Sequence, residues 1–330
     1  MRKFMLSVGI AALLLMLVTW LAAALGTESV SFQRAMTDAA SIDHRILFDV
    51  RLPRIALSAV AGAGLAAVGA AFQALLRNPL AEPYVLGVSG GAALGATLVI
   101  AFGVPLAAVW SSALIPASAM IGGLAATALV YAIARAGTEG SATSMLLAGV
   151  IVNAIAGSLI TFIKSLVSAA KAQDLLFWLM GFIDVPPITT LAAVTAYVSI
   201  GCAVLIADAG RLNLLSLGDE PAQYLGVNAR RLERRVYIAS SLVVGAIVST
   251  TGLIGFVGLV VPHALRRMVG PDHRILLPLS MLIGACMLII CDLLARASFH
   301  WLGTEPPVGA VTALLGGPLF LALLRRRANW

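Results

Sequence analysis

One stretch of sequence decides the fold: residues 51–91 read RLPRIALSAVAGAGLAAVGAAFQALLRNPLAEPYVLGVSGG. About 22 uncharged residues, Ile55 to Leu76, are enough to cross a bilayer as one helix. A polar break follows at Arg77-Asn78-Pro79, and a glycine-rich run, Gly87 to Gly91, begins the next apolar segment. Glycine lets backbones approach closely, and irregular backbone is tolerated at membrane depth only inside protein or beside a water-filled cavity. The stretch therefore predicts a span, a turn at the cytoplasmic side, and a second span beside a cavity.

Composition places the whole chain in the membrane. Its 330 residues are 60% hydrophobic and only 11% charged, with a mean hydropathy of +1.00. Soluble domains are about 45–50% apolar and about 25% charged. At about 20 residues per span plus loops, the length fits roughly ten helices. We predict an all-α, polytopic membrane protein, and we assign its net charge of +7 to cytoplasmic loops and not to nucleic-acid binding.

Apolar runs give ten predicted spans. Their approximate bounds are residues 4–25, 52–76, 88–102, 113–134, 145–167, 191–207, 236–253, 256–265, 275–295 and 307–324. The first run is longer than the apolar core of a signal peptide, which favours an uncleaved span. Residues 26–50 are predicted as an outer loop, and residues 168–190 as an outer segment with an interfacial helix, because aromatic side chains suit the headgroup level. Of the 22 Lys and Arg residues, 15 then fall on the cytoplasmic side, together with both termini.

The sequence contains few residues of the types that catalyse reactions or bind ATP. The three lysines, Lys3, Lys164 and Lys171, follow no G-x-x-x-x-G-K pattern, so the chain has no P-loop for ATP. Uphill transport would need an ion gradient or another chain. Ion-coupled carriers place costly charges at mid-membrane, whereas Lys164 and Asp292 here fall near span ends. We therefore disfavour a secondary carrier and, more strongly, an intramembrane enzyme.

The remaining metal-binding residue types favour core packing. Cys202, Cys286 and Cys291 lie inside apolar runs at spacings that match no zinc or disulfide pattern. His263 follows Pro262 within an apolar segment, and we favour packing over metal ligation. We predict no metal site in this chain.

A polar stretch before the seventh span suggests a docking surface. Residues 215–233 read LSLGDEPAQYLGVNARRLE, which is typical of a short helix, a glycine break and a basic helix start. The alternative is a solvated loop between two spans.

Eight motifs together resemble the permease subunits of the FecCD family, the ABC importers of ferric siderophores, haem and vitamin B12. The pieces occur in family order and cover nearly the whole chain from about residue 50: RLPR (51–54), RNPLAEPYVLGVSGGA (77–92), LLAGV (146–150), FWLMG (177–181), LGDEPAQYLGVN (217–228), GFVGLVVPHALR (255–266), GPDHR (270–274) and the run 307–327.

The resemblance implies a type II ABC importer permease fold. Residues 1–330 would form one transmembrane domain, with residues 208–235 as the cytoplasmic coupling region. Two subunits would form a homodimer around one central pathway in the inner membrane. Two cytoplasmic ATPase subunits, which bind ATP and Mg, would lie below, and a periplasmic binding protein would dock above. The chain itself would bind no cofactor and catalyse no covalent step. The expected substrate is an iron chelate or haem. Cobalamin is the alternative within the family, and an ion-coupled secondary transporter is the alternative from another class.

The resemblance also assigns roles at the two membrane faces. At the cytoplasmic face the ATPase-coupling residues would be Gly218, Asp219, Glu220, Ala222, Leu225 and Gly226. Asp219 and Glu220 are equally explained as acids that stabilise a helix N-terminus. At the outer face Arg51, Arg54 and Arg296 would be basic knobs for the binding protein. Snorkelling to the interface and, for Arg296, pairing with Asp292 four residues earlier are the alternatives.

The fifth span and its inner start would form the gate and pathway. Thr143 and Ser144 are the gate candidates, with a helix N-cap as the alternative. The polar side chains that would line the pathway are Asn153, Ser158, Thr161 and Lys164. For Lys164 an anionic chelate or a haem propionate is a possible partner, but we favour snorkelling to the headgroups.

Overall fold

The chain is almost entirely helical. The computed structural model describes residues 2–102, 108–136 and 142–325, without the side chains of residues 2–4, 85–86, 108–113, 135–136, 142–143 and 323–325. Within these residues, ten helices have 13 or more residues. We number them α1 Arg2–Ala24, α2 Leu52–Leu75, α3 Val88–Phe102, α4 Ala108–Ala136, α5 Ala142–Leu166, α6 Ile188–Ala207, α7 Ala229–Thr251, α8 Val257–Val269, α9 His273–Ala297 and α10 Val308–Arg325.

Each long helix corresponds to one predicted span, so the all-α prediction is confirmed and the helix count agrees with it. Among the described residues, six helical stretches are long and apolar enough to cross a membrane, while α3 and α10 are shorter apolar helices. The short helix Ala169–Met180 occupies the segment predicted as interfacial. Short helices also occur at Ala209–Leu215, Asp219–Tyr224 and Phe299–Leu302.

Two helices extend beyond the predicted spans. The segment 26–50, predicted as a polar loop, contains the helices Phe32–Thr37 and Ile42–His44 and a π-helical turn, Arg45–Arg51, that continues into α2. This turn forms because Leu47 is buried in an apolar cluster with residues of α1 and α9. Helix α7 begins at Ala229, seven residues before the predicted span and within the predicted basic helix start, because the Asn228 side chain accepts the Arg231 N–H at 3.0 Å and caps the helix.

Helix α2 is the centre of the fold. Its side chains from Leu65 to Leu75 are all buried, and it packs against α6, α7, α8 and α9. A side chain on Gly69 would meet the backbone of Gly258 in α8, and one on Gly62 would meet the backbone of Gly284 in α9. Small residues therefore let three helices pack at backbone distance, as glycine-lined helix contacts do in membranes.

Helices α3, α4 and α5 pack mainly on one another and meet the rest of the subunit largely through α7. We call the end of the bundle that contains Arg77 and Arg266 the inner end, and the end that contains Arg54 and Asp292 the outer end. These names follow the predicted orientation of the chain.

Candidate functional site

Two irregular segments meet in the middle of the bundle. Residues 76–87 interrupt the chain between α2 and α3, and residues 252–256 interrupt it between α7 and α8. The Glu82 carboxylate accepts the Phe256 N–H at 2.7 Å, and the Tyr84 hydroxyl accepts the Ile254 N–H at 3.1 Å. We call this pair of contacts the junction. Side chains of the first break thus supply partners for backbone N–H groups of the second, which is what irregular backbone inside a membrane protein requires.

Asn153 ties α5 to the junction. Its Nδ2 donates to the Tyr84 carbonyl at 2.9 Å, and its Oδ1 accepts the Gly90 N–H at 3.0 Å. A side chain at position 90 would collide with Asn153, so only glycine allows this approach. Asn153, predicted as a pathway residue, therefore fixes the first turn of α3 against the middle of α5.

A cavity of about 650 Å³ lies beside the junction. Its polar lining comes from Ser89, Asn153 and Thr161, and the rest is mostly apolar, with Val150, Ile160, Leu179 and Leu253 among the contributors. We call it the pathway cavity. A mostly apolar cavity with a few polar groups is the usual form of a site for a bulky organic ligand.

The coupling segment 215–228 forms a compact structure at the inner end. The helix Asp219–Tyr224 begins after Gly218, whose φ of +125° favours glycine, and ends before Gly226, whose φ is +82°. Arg77 donates from Nε to the Leu215 carbonyl at 3.1 Å and forms an ion pair with Asp219. The segment is thus anchored to the end of α2 while the Tyr224 side chain remains 91% exposed.

Further polar contacts hold the frame around this segment. Asp208 is fully buried and pairs with Arg211 at 2.5 Å and with Arg235 of α7 at 3.1 Å. Asn213 donates to Asp272, the N-cap of α9, at 2.6 Å. Partial burial opposes the effect, but hydrogen bonds from Asn213 and from the Arg274 amide lower the pKa of Asp272. The coupling segment therefore sits on a frame that joins α2, α6, α7 and α9.

Four charged residues form an outer ion cluster. Asp292 is fully buried and accepts from Arg54 at 2.8 Å and from Arg296 at 3.0 Å, while Arg54 also pairs with Glu305 at 3.0 Å. The cluster joins α2, α9 and the segment before α10.

Comparisons with known proteins identify the family of the chain. The model of the FecCD transport family matches residues 14–326. The chain belongs to the FecCD transport family. The chain is similar to the hemin transport system permease HmuU of Yersinia pestis, with 39% identity over 98% of this chain and 96% of HmuU. The cobalamin import permease BtuC of Halobacterium salinarum is 43% identical over 86% of this chain and 74% of its own.

A solved structure shares the architecture. A metal-chelate type ABC transporter in an inward-facing conformation has a TM-score of 0.86 and 32% identity, and the match covers 98% of this chain and 99% of that one. The FecCD fold predicted from the sequence is confirmed. The chain is a multi-pass membrane permease subunit of an ABC importer.

The three outer arginines of this FecCD subunit do not project as knobs. Arg51 and Arg296 are only 4% and 5% exposed. Arg51 donates to the Ala23 carbonyl at 2.7 Å, and Arg296 donates to the Ala22 carbonyl at 3.2 Å, so both cap the end of α1. The pairing of Asp292 with Arg296, which the spacing suggested, is confirmed. Contact of Arg51, Arg54 and Arg296 with a binding protein stays a prediction.

The coupling residues divide into anchored and exposed ones. Ala222 is fully buried, whereas Leu225 is exposed. Asp219 and Glu220 lie in the first turn of their helix, as the N-terminus interpretation requires, and Asp219 is also paired with Arg77. A contact of these residues with an ATPase stays a prediction.

The remaining pathway residues lie along α5. Ser158 and Thr161 are exposed, and their hydroxyls donate to carbonyls four residues earlier, at 3.0 and 2.9 Å. Lys164 is half-buried in the last turn of α5, near the outer end. Ser144 is half-buried in the first turn, and the side chain of Thr143 lies outside the described residues. The gate role of the last two stays a prediction.

The packing interpretations are confirmed. His263 is buried and its ring lies edge-on to Phe320, with 5.9 Å between the ring centroids. Cys202, Cys286 and Cys291 are buried and free.

Sequence reasoning missed two features. Glu82 and Tyr84 belong to the motif of residues 77–92 without a predicted role of their own, although a lone carboxylate between two spans is a signal for a backbone partner. An outer cavity of about 700 Å³ also escaped notice; it is lined by Asp174, Asp184 and Glu305 together with aromatic side chains such as Trp178.

Proposed function

We propose that two copies of this FecCD subunit form an importer that moves an iron chelate or haem across the inner membrane by alternating access. Two ATPase subunits bind at the inner end and supply the energy, with ATP and Mg held by them and no cofactor held by this chain. The observation that carries the proposal is the coupling segment, because it combines firm anchoring with an exposed apolar surface.

The coupling segment suits transmission of force from another protein. Arg77 connects it directly to the end of α2, the most buried helix of the subunit. Leu217, Tyr224 and Leu225 are exposed on a segment otherwise rich in polar residues. Exposed apolar residues within a polar rim mark protein contacts. We assign Gly218, Asp219, Glu220, Ala222, Leu225 and Gly226 to the contact with the ATPase, and both termini to the cytoplasm.

The homodimer places a second subunit against α5. Large apolar side chains of α5 are exposed along one stripe of the helix, at Leu147, Ile151, Ile155 and Phe162. The exposed Ser158 lies within the same stripe, and the exposed Thr161, which lines the pathway cavity, lies at its edge. A stripe next to polar groups suits a pathway shared with a second copy better than plain lipid contact. In this arrangement Ser158, Thr161 and Lys164 lie along the pathway, and Thr143 and Ser144 form its inner gate.

The binding protein docks at the outer end, over the outer ion cluster. Arg54 is the cluster's partly exposed guanidinium, and its side chain is 13% exposed. Asp292 and Glu305 balance the charges of Arg54 and Arg296, so the net positive charge at this end comes from Arg51, which donates to backbone carbonyls of Ala23 and Ala24. Such charge favours orientation and fast encounter with an acidic partner more than affinity.

Haem or a ferric chelate is the preferred substrate class, since HmuU, a hemin permease, resembles this chain along nearly its full length. Cobalamin is the second candidate, because the BtuC relative is more similar, at 43%, although over a shorter part of the chain.

Reconstitution tests the mechanism. The subunit, its ATPase and its binding protein are placed in proteoliposomes, and uptake of haem, a ferric siderophore and cobalamin is compared with and without internal ATP. Uptake that requires ATP and survives an uncoupler supports the importer. Uptake by this chain alone that collapses with the proton gradient would show an ion-coupled carrier instead. The transported compound identifies the substrate class.

A further inference from the structure

A further cavity, of about 320 Å³, lies at the inner end, away from the pathway cavity. It lies between the end of α2, the second half of α8 and the start of α9. Arg77, Arg266 and Arg267 make its lining basic, and Gln73, His263 and His273 add polar side chains. No acidic residue lines it within the described part of the chain. We call it the basic cavity.

The Arg266 guanidinium has two nitrogens that no described residue satisfies. Its Nε and Nη2 atoms are buried, and neither has a hydrogen-bond partner among the described residues. The buried Gln73 Oε1 and His273 Nε2 atoms also have no hydrogen-bond partner among the described residues. Arg77, in contrast, already pairs with Asp219 at the rim. Burying a charged group without partners is costly, so a guanidinium in this position indicates an anion that the fold does not itself provide.

The geometry of an arginine fork matches a phosphate group, which accepts two parallel hydrogen bonds from it. Apolar side chains next to the lining residues in sequence are exposed: Leu80 follows Pro79, and Met268 follows Arg267. A free anion in water would gain nothing from them, whereas a lipid would cover them with its glycerol and acyl groups. Basic pockets between membrane helices on the cytoplasmic side are typical sites for anionic lipid headgroups.

We propose that the basic cavity binds the phosphate group of an anionic phospholipid of the inner leaflet. Arg266 is the principal ligand and Arg267 the outer one. The lipid joins the end of α2 to α8 directly beside the Arg77 anchor of the coupling segment. The composition of the bilayer then affects the stability of the inner end independently of the transported substrate.

The test uses the full chain purified in a neutral detergent. Mixed micelles contain either phosphatidylglycerol or phosphatidylcholine, and a third arm contains inorganic phosphate with phosphatidylcholine. The unfolding midpoint is followed with a thiol-reactive dye, because Cys202, Cys286 and Cys291 are buried until the protein unfolds. Native mass spectrometry counts retained lipids. The variants are Arg266→Gln and, as a matched control, Arg230→Gln, since Arg230 is exposed at the inner end outside the cavity.

We expect phosphatidylglycerol to raise the midpoint of the wild type and to be retained. Arg266→Gln should bind it about tenfold or more weakly, from the loss of a charged hydrogen bond, yet be at least as stable as wild type in phosphatidylcholine, because a buried charge has been removed. A destabilised fold would lower both midpoints, so the opposite signs separate the two explanations. Arg230→Gln should behave like wild type. Equal responses of Arg266→Gln and wild type, no preference for phosphatidylglycerol, or full stabilisation by inorganic phosphate alone would each overturn the proposal.

Discussion

Replacing Asp292 by alanine should destabilise the subunit strongly. The carboxylate is fully buried and accepts hydrogen bonds from two guanidinium groups, Arg54 at 2.8 Å and Arg296 at 3.0 Å. Removing one partner of a buried ion pair costs about 3–5 kcal/mol. Arg54 keeps Glu305, and Arg296 keeps the carbonyls of Ala22 and Leu25. Because both arginines retain partners, we expect the lower end of the range, about 3 kcal/mol.

At roughly 2 °C per kcal/mol for a chain of this size, the unfolding midpoint should fall by about 6 °C. The dye assay on the three buried cysteines measures it. Asp292→Asn, which keeps the shape but loses the charge, should lie between Asp292→Ala and wild type. Asp174→Asn is the control, since Asp174 is an exposed carboxylate at the same end.

A double variant separates charge from cavity formation. Asp292→Leu combined with Arg296→Met replaces the pair by apolar groups of similar size, which is often close to neutral. It should regain more than half of the lost stability. If Asp292→Ala melts within about 1 °C of wild type, or if Asp174→Asn has an equal effect, the buried cluster does not contribute as we argue.

Three further perturbations have defined outcomes. Gly69→Ala pushes a methyl group against the backbone of α8 and should lower the free energy of unfolding by about 1–3 kcal/mol, seen as a lower melting midpoint. Gly9→Ala, where the added methyl group meets open space, should leave the midpoint unchanged. Equal midpoints of the two variants would contradict the close packing. Asn153→Leu removes the partner of the Gly90 N–H and leaves the Tyr84 carbonyl with the Ser89 hydroxyl alone, so the free energy of unfolding should fall by about 1–3 kcal/mol, followed by dye melting; an unchanged melting curve would rule this out. Tyr224→Ser should reduce co-purification of the ATPase without changing the midpoint, because the side chain is exposed; undiminished co-purification would place the contact elsewhere.

The fold was largely predictable because lipid imposes a simple code. Each apolar run of sufficient length had to be a helix, and α3 was predicted to the residue, Val88 to Phe102. The predicted span 236–253 is shorter than α7 because the first turns of the helix carry arginines, although a basic helix start was predicted within residues 215–233. Arginine side chains can extend from a helix to water, and only the cap at Asn228 indicates where the helix begins.

The contacts within the site were less predictable because they join distant parts of the chain. The spacing of Asp292 and Arg296 indicated their pairing on one helix face. Nothing in the sequence placed Arg54 on the same carboxylate, 238 residues away. The outer arginines were correctly predicted at span ends. That two of them turn inward to donate to carbonyls at the C-terminal end of α1 is visible only in three dimensions.

Tyr84 links the two parts of the subunit that alternating access would have to move. Its carbonyl is held by Asn153 of α5, and its hydroxyl is held by the Ile254 N–H in the break before α8. Helix α5 packs with α3 and α4, whereas α8 packs with α2 and α9. A displacement that separates α5 from α8 must therefore break one of these two hydrogen bonds. Each is worth only about 1 kcal/mol net, so the junction fixes the geometry of the pathway cavity at rest while opposing its rearrangement weakly. The stability of the fold therefore depends on the backbone contacts of Gly62 and Gly69, whereas the ease of rearrangement depends on Tyr84.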